Sequence, residues 1–143
     1  MTNPYSEQSD EINKTGAIAL LNKLSLIKLC KDKWVFYQAL KEANMSCVIE
    51  SSLIDDYDSL ISQFGLPFLL KPRRGFASKG IVIVNDRAMF NAHKSGIGEI
   101  LMVQPLVGDD NEEFTTSAFC DGKGGFFTAM TLRRKLSNEG LKD

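Results

Sequence analysis

Apolar positions recur first with a helical period and later in short extended runs, which predicts an α+β chain. The helical pattern predicts helices over Thr15–Lys28, Lys33–Ala43, Asp55–Phe64 and from Asp86 to His93. Asp32 is the expected N-cap of the second helix, and Asn44 and Gly65 are expected to end the second and third. The polar segment before them, Met1–Lys14, has no periodic apolar positions and is expected to be a poorly ordered tail.

Apolar runs bounded by Pro, Gly or Asp predict strands joined by turns. The clearest is a hairpin within Leu66–Val84, which reads LPFLLKPRRGFASKGIVIV. Further extended segments are expected at Ser46–Ile49, Ile100–Val107, Glu113–Cys120 and Phe126–Arg134. The turn DGKG between the last two favours a second hairpin. Neighbouring strands joined by turns predict an antiparallel sheet with helices packed on one face.

Composition is that of an ordinary globular protein and leaves no global charge to attract a polyanion. The chain has 143 residues, 43% hydrophobic and 24% charged, with a net charge of −1. Binding of nucleic acid or of an anionic membrane surface through overall charge is therefore disfavoured. Anion binding must be local, at Lys71–Arg74 or Arg133–Lys135. Since no run is long enough to span a membrane and no signal peptide is recognisable, we expect a cytoplasmic protein.

The three cysteines show neither metal-ligand spacing nor a disulfide framework. Cys47 and Cys120 lie in apolar segments, so we expect them to be small core residues of a protein in a reducing compartment.

The loop of the first predicted hairpin combines cations with small residues. Its chemistry-bearing residues are Lys71, Arg73, Arg74, Gly75, Ser78, Lys79 and Gly80. Glycines let the backbone approach an anion and the cations offset its charge, so this combination indicates a polyphosphate ligand. The alternative is a solvated, positively charged hairpin tip without a ligand.

Five motifs in a fixed order resemble the ATP-grasp superfamily. They are KDKW with Lys33, the Lys71 hairpin, the strand ILMVQPLVG, the segment EEFTTSAF and the DGKG turn. Within the superfamily the chain is most similar to the carbamoyl-phosphate synthetase large-subunit-like ligases, over about Leu29 to Gly140. The resemblance implies that ATP lies between two small α+β lobes, beneath a flexible glycine-rich hairpin.

The resemblance implies phosphate-binding roles for two lysines and for the hairpin loop. Lys33 and Lys71 match family positions whose cations contact the nucleotide phosphates. Without a ligand, Lys33 would be an exposed first-turn helix residue and Lys71 would extend from the sheet edge. Arg73, Arg74, Ser78, Lys79 and Gly80 would form a mobile lid whose amides, from Phe76 onward, donate to phosphate. Which of the three lid cations touches phosphate stays open.

The segments after the hairpin resemble the part of the family that contacts the nucleoside. Gln104 stands where relatives often have Glu, and its carbonyl can accept from the adenine amino group. Leu106, with Met102 and Val103, would flank the base, or these residues are simply core. Glu113 matches the ribose-binding position, with Glu112 as a near competitor. Arg133, or Arg134, would meet phosphates or an acyl phosphate, or would merely charge a sheet edge.

The resemblance also implies a domain organisation. Residues 1–14 would be a disordered tail, 15–30 a helical linker, 31–107 the small lid subdomain and 108–143 the truncated start of the C-terminal lobe. The family's Mg²⁺ ligands lie on strands that follow this segment, so no metal ligand is assigned in this chain. Cofactors are expected to be ATP and Mg²⁺, and we expect a fragment without ligase activity of its own.

Three functions follow as hypotheses. The first is the ATP-binding portion of a ligase that activates a carboxylate or bicarbonate as an acyl phosphate, its amine acceptor unknown. The second is a non-catalytic domain that binds a nucleotide or a partner protein. The third, nucleic-acid binding through the Lys71–Lys79 loop, is disfavoured by the net charge and by the scarcity of aromatics. An exposed edge at Phe126–Arg134 predicts self-association.

Overall fold

The computed structural model describes residues 8–17, 22–76, 78–109, 112–133, 136–137 and 140–141. The chain divides into two compact units. The first unit comprises Met1–Gly75 with Gly80–Pro105, and the second comprises Phe76–Lys79 with Leu106–Asp143.

Five α-helices are described, all in the first unit: α1 (Ser9–Lys14), α2 (Leu24–Cys30), α3 (Lys33–Glu42), α4 (Tyr57–Phe64) and α5 (Arg87–His93). A 3₁₀ turn, Lys94–Gly96, follows α5. The carboxylates of Asp32, Asp56 and Asp86 accept backbone N–H groups at the starts of α3, α4 and α5. These caps satisfy amides that have no partner within the helix, which is why the local sequence predicts three of the helix starts so closely.

The N-terminal segment differs from the prediction. The single helix expected over Thr15–Lys28 is wrong, because α2 begins only at Leu24. Gly16 has φ of +85°, a conformation that ends helical geometry, and Ile18 and Leu21 lie outside the described residues. The polar segment expected to be a tail contains α1, whose residues are compatible with a helix although they offer little apolar surface to bury.

A three-stranded antiparallel sheet organises the first unit. Its strands are β1 (Phe68–Pro72), β2 (Val82–Val84) and β3 (Leu101–Pro105), in the order β2-β1-β3. The β1–β2 pairing confirms the predicted hairpin. The extended segment expected at Ser46–Ile49 is wrong: Ser46 and Cys47 form a turn, and it is Ser52 that pairs with Val103, through two 2.9 Å backbone hydrogen bonds.

The core of the first unit lies between this sheet and helices α4 and α5. Its buried members are Tyr57, Leu60, Phe68, Leu70, Val84, Phe90 and Val103. Alternation along β1 directs Phe68 and Leu70 into this cluster, which leaves Lys71 on the opposite face. Val103 is therefore a core residue, the second of the two roles that the sequence left open for it. Met102 is fully buried but lies outside the core cluster.

The second unit contains a two-stranded antiparallel sheet of β4 (Phe114–Cys120) and β5 (Phe126–Arg133). The Asp121 carboxylate accepts the backbone N–H groups of Lys123 and Gly125, at 2.7 and 2.9 Å, and so closes the predicted turn. A short pair, β6 (Leu136–Ser137) and β7 (Gly140–Leu141), follows. Arg134, the expected end of the β5 segment, lies outside the described residues. The α+β class with antiparallel pairing is confirmed.

The prediction that Cys47 and Cys120 are core residues is wrong, since all three cysteines are exposed. Cys47 lies in the turn after α3, and Cys120 ends β4, a strand whose described side chains are almost all exposed. Across the residues that the structure describes, no helix has both the length and the apolar character that crossing a membrane requires.

Candidate functional site

Lys71 lies near the end of β1, on the face turned away from the core. Its Nζ is 3.4 Å from Oε1 of Gln104 on β3. Burial lowers the pKa of Lys71, and the positive charge of Lys33 nearby lowers it further. Among the described residues Lys71 has no ion pair, so the half-buried ammonium lacks an anion that would balance it.

Lys33, the first residue of α3, brings a second ammonium near enough to lower the pKa of Lys71. Its Nζ donates to the carbonyl of Gly75 at 2.9 Å, and its backbone N–H donates to the carbonyl of Arg73 at 2.8 Å. Both bonds join the start of α3 to the loop that follows β1. Two cations from segments far apart in the sequence thus lie within electrostatic reach of each other.

An ion pair between Asp32 and Arg73 holds the start of α3 against the loop that follows β1. Arg73 donates from Nε to Oδ1 of Asp32 at 3.2 Å and from Nη2 to Oδ2 at 3.0 Å, and from Nη1 to the carbonyl of Gly98. Asp32 is 5% exposed. Burial alone would raise the pKa of its carboxyl, but the hydrogen bonds from Arg73, Trp34 and Val35 outweigh burial and lower it. The expected lid cation Arg73 is therefore occupied within the protein.

The next residues of the loop are more exposed. Arg74 reaches Asp32 with Nε at 3.4 Å, but its side chain is 74% exposed. Gly80, where the chain returns toward β2, has φ of +76°, and a Cβ there would lie 3.1 Å from Cγ of Pro72. A residue with a side chain would be strained at this return, so this glycine has a structural reason that does not depend on a ligand.

Gln104 is held at both ends of its amide. Its Nε2 donates to Oγ of Ser51 at 2.8 Å, while its Oε1 accepts from Lys71. The hydroxyl of Ser51 in turn donates to the carbonyl of Ile49 at 3.2 Å. This chain of contacts gives the amide one orientation, since an ammonium can only donate and must therefore face the oxygen.

The structure thus brings together Lys33, Lys71, Arg73, Arg74 and Gln104 in the first unit, with Gly80 at the base of the loop. Ser78 and Lys79 belong to the second unit. There Ser78 has φ of +55°, and Nζ of Lys79 lies 5.9 Å from the centroid of the Phe76 ring, which is 80% exposed. Ala77, within the predicted lid, lies outside the described residues.

Three further predicted site residues also belong to the second unit. Leu106 follows β3 and is exposed, and Glu113 is half-buried immediately before β4. Arg133 ends β5 opposite Phe114 in the strand register, one residue from Glu113. The choice between Glu112 and Glu113 stays open, and Arg134 lies outside the described residues.

Among the described residues, no three His, Cys, Asp or Glu side chains are grouped so that they could hold a metal ion. A mainly apolar pocket of about 380 Å³ is lined by Pro72, Arg74, Gly80 and Ile100 among others, but not by Lys71 or Gln104.

Two residues of the site were missed by the sequence analysis. Asp32 was recognised only as an N-cap, and Ser51 was not singled out at all. Their partners Arg73 and Gln104 are 41 and 53 residues away along the chain. No local pattern signals such pairs, because they depend on how α3 and the segment before α4 pack on the sheet.

Comparison with solved structures finds enzymes that share the fold of this chain, several of them in complex with a nucleotide. N5-carboxyaminoimidazole synthetase of Staphylococcus aureus, complexed with ADP, matches with a TM-score of 0.65 and 19% identity over 95% of this chain and 37% of that one. Carboxyaminoimidazole ribonucleotide synthase of Aspergillus clavatus, complexed with ATP, matches with a TM-score of 0.67 and 12% identity over 96% of this chain and 36% of that one.

A third match is the biotin carboxylase domain of 2-oxoglutarate carboxylase of Hydrogenobacter thermophilus, in complex with MgADP, ADP and bicarbonate. Its TM-score is 0.51 at 18% identity, over 78% of this chain and 26% of that one. Comparison with family models and with curated proteins found no match.

These matches show the fold. The chain shares the fold of these enzymes, which confirms the ATP-grasp-like fold expected from the order of its motifs. It spans only about a third of the length of the synthetases it matches.

Proposed function

We propose that the first unit binds the polyphosphate and the adenine amino group of ATP, as the ATP-binding portion of an ATP-grasp ligase. The observation that carries the proposal is the half-buried Lys71, which contacts Gln104 and whose pKa is lowered by burial and by the nearby charge of Lys33. Shared fold with enzymes complexed with ATP or ADP supports the choice of nucleotide.

Two cations near each other repel, and a bound anion offsets that repulsion. Lys71 is half-buried, and the charge of Lys33 further disfavours its protonated form. A polyphosphate carries several negative charges within the span of two lysines and would offset both costs. A single carboxylate would balance only one of the ammonium groups, so the arrangement favours a polyphosphate.

The roles of the loop cations differ in this proposal. Arg73 positions the junction by its bonds to Asp32, while exposed Arg74, together with Ser78, Lys79 and Gly80, contacts phosphate. From the second unit, Leu106 flanks the base, Glu113 binds the ribose hydroxyls and Arg133 meets phosphate. These last roles rest on the resemblance of the motifs.

The reaction of the whole protein would be attack of a carboxylate or bicarbonate oxygen on the γ-phosphorus, with ADP leaving and an acyl phosphate forming. An amine would then displace the phosphate. Bicarbonate bound by the Hydrogenobacter thermophilus relative supports this acceptor class. The finer likeness to carbamoyl-phosphate synthetase and the use of Mg²⁺ are part of the same proposal.

Calorimetric titration of Mg-ATP into the chain and into Lys71→Met tests the proposal. Losing a charge-assisted contact to phosphate should weaken binding by about tenfold or more. In the absence of ligand, Lys71→Met should melt at a higher temperature than the unmodified chain, because it removes the cost of a half-buried, repelled ammonium. A higher melting temperature would show that weaker binding does not come from misfolding.

Lys94→Met is the matched control, since Lys94 is an exposed lysine of the same unit on the 3₁₀ turn after α5. It should bind ATP as the unmodified chain does. Equal affinity in the Lys71 and Lys94 variants would contradict the proposal. ADP release is measured alongside, and we expect binding without turnover.

A further inference from the structure

If its side chain were free to turn, Gln104 could not select between nucleobases, because it could present either a donor or an acceptor. A glutamine amide presents an acceptor at one end and a donor at the other, and the two ends exchange by a half-turn about the last side-chain bond. Glutamate, which the resemblance leads one to expect here, has acceptors at both ends. A site that uses glutamine must therefore fix the orientation of the amide if it is to distinguish a base that offers a donor from one that offers an acceptor.

Ser51 supplies that restraint. Its hydroxyl donates to the carbonyl of Ile49 at 3.2 Å, so its oxygen is left to accept from Nε2 of Gln104 at 2.8 Å. A serine hydroxyl has one proton to donate. Because that proton is already used, the group facing Ser51 must be a donor, and the amide oxygen is turned toward Lys71.

The backbone around Ser51 is itself anchored. Ser52 forms two 2.9 Å hydrogen bonds with Val103, the residue before Gln104, and the Glu50 carboxylate accepts from Tyr37 and Lys41 on α3. Ser51 is 6% exposed. Because the residues on either side of Ser51 are both hydrogen-bonded to other elements, its hydroxyl has a fixed position next to the side chain of Gln104.

We propose that Ser51 is a positioning residue that fixes the amide of Gln104 with its oxygen toward the ligand, and that it thereby sets a preference for a base with an exocyclic amino group. This inference rests on the proposed binding of ATP. The oxygen of Gln104 has two lone pairs, so it can accept from an amino group as well as from Lys71. Once Lys71 turns to a phosphate, Ser51 is the remaining described restraint on the amide.

The test compares the affinities of ATP and inosine triphosphate, which carries a carbonyl where adenine carries its amino group. The unmodified chain should prefer ATP. Ser51→Ala should reduce the ratio of the two affinities by about fivefold, the equivalent of one hydrogen bond, because the amide can then turn its donor to inosine. Ser51→Thr keeps a hydroxyl and should restore the ratio.

Two further variants separate positioning from a general loss of structure. Ser52→Ala removes an equally buried hydroxyl, one that accepts from the N–H of Ile54 and does not touch Gln104, and it should leave the ratio unchanged. In a Gln104→Glu background, Ser51→Ala should also leave the ratio unchanged, because a carboxylate presents an acceptor in either orientation.

An unchanged ratio in Ser51→Ala, or the same reduction in both backgrounds, would overturn the inference while ATP binding itself stands. Absence of binding of either nucleotide to the unmodified chain would instead overturn the proposed function and this inference with it. Nuclear magnetic resonance of the Gln104 side-chain amide needs no nucleotide. Its protons should exchange with solvent faster in Ser51→Ala than in Ser52→Ala, and equal rates would also count against the inference.

Discussion

Asp32 has partners in two different parts of the first unit, the start of α3 and the end of the hairpin strand. Its carboxylate accepts the first free amides of α3 and, at the same time, the guanidinium of Arg73 at the end of the hairpin strand. A buried carboxylate is stabilised only when such donors compensate for lost hydration. The residue that precedes Lys33 is thus the one that fixes Lys33 against the loop.

The lowered pKa of Asp32 predicts an acid-sensitive junction. Because its folded pKa lies below the unfolded value of 3.8, the ionised carboxylate contributes stability above about pH 4, and this contribution is lost as the pH falls through the folded pKa. Asp32→Asn should lower the free energy of unfolding at pH 7 by about 2 kcal/mol, since it keeps an N-cap but leaves Arg73 without a counter-charge.

Urea unfolding at pH 7 and at pH 3 checks this prediction. The difference between the unmodified chain and Asp32→Asn should be large at pH 7 and should shrink at pH 3. Asp56→Asn serves as the comparison, because Asp56 also caps a helix and its hydrogen bonds with Ser59 also lower the pKa of its carboxyl, but its side chain is exposed, so the loss of stability at pH 7 should be smaller. If Asp32→Asn lowers the free energy of unfolding by the same amount at both pH values, the predicted stabilisation by ionised Asp32 is wrong.

Among the elements, the loop between β1 and β2 contains a glycine with both a positive φ and a close neighbour. Gly80 has φ of +76° and packs against Pro72, whereas Gly65 at the end of α4 has φ of +74° and has no atom within 4 Å of an added Cβ. Gly65 has ψ of −172°, a backbone region that is essentially restricted to glycine, so Gly65→Ala should cost about 1–3 kcal/mol from backbone strain alone. In Gly80→Ala, Pro72 must move as well, so we expect the larger cost there.

The two alanine variants are compared by thermal unfolding and by ATP titration. Gly80→Ala should have the lower melting temperature and should also bind ATP more weakly, since it displaces the loop next to Lys71. Gly65→Ala should change stability alone. Equal melting temperatures would show that the contact with Pro72 is relieved without cost.

Local signals explain which elements could be predicted. Asp32, Asp86 and Gly65 act within one helical turn, and the alternating hairpin around Lys71 needs no distant partner to be recognised. The prediction missed that the helix does not continue from Thr15 to Leu24. It followed the apolar period and gave no weight to Gly16, whose positive φ is not helical. In the candidate site, residue types such as Lys33 and Lys71 were recognisable, but the bonds that orient them were not.

At the scale of the whole chain, the two units differ in how they bury apolar residues. The first has a closed core of aromatic and aliphatic side chains, whereas the described side chains of β5 are all exposed. This difference explains the failed prediction for Cys120, since an apolar strand is buried only where a second layer covers it. Sequence pattern alone does not show whether that layer is present.

The exposed strand predicts self-association of this chain. Phe126, Phe127, Met130 and Leu132 are all more than half exposed, and among the described strands β5 pairs only with β4. Such an edge favours pairing with another copy. Sedimentation should therefore show a concentration-dependent increase in mass, and Met130→Lys should reduce it by adding a charge to the exposed face.

Thr131→Lys is a useful comparison, because it adds the same charge on the other face of the strand. If the apolar face of Met130 rather than the edge drives association, Met130→Lys alone should be effective. Equal effects would assign association to the strand edge. A monomer at every concentration would contradict the prediction for both.

The helix start at Asp32 also carries an optical signal. Trp34 is the chain's one tryptophan, its backbone N–H donates to Asp32, and its ring lies 5.2 Å from that of Tyr37. All tryptophan emission from this protein therefore originates one residue away from Lys33. The wavelength of maximum emission and the intensity of this intrinsic fluorescence therefore report the hydration of the helix start, without an added fluorophore.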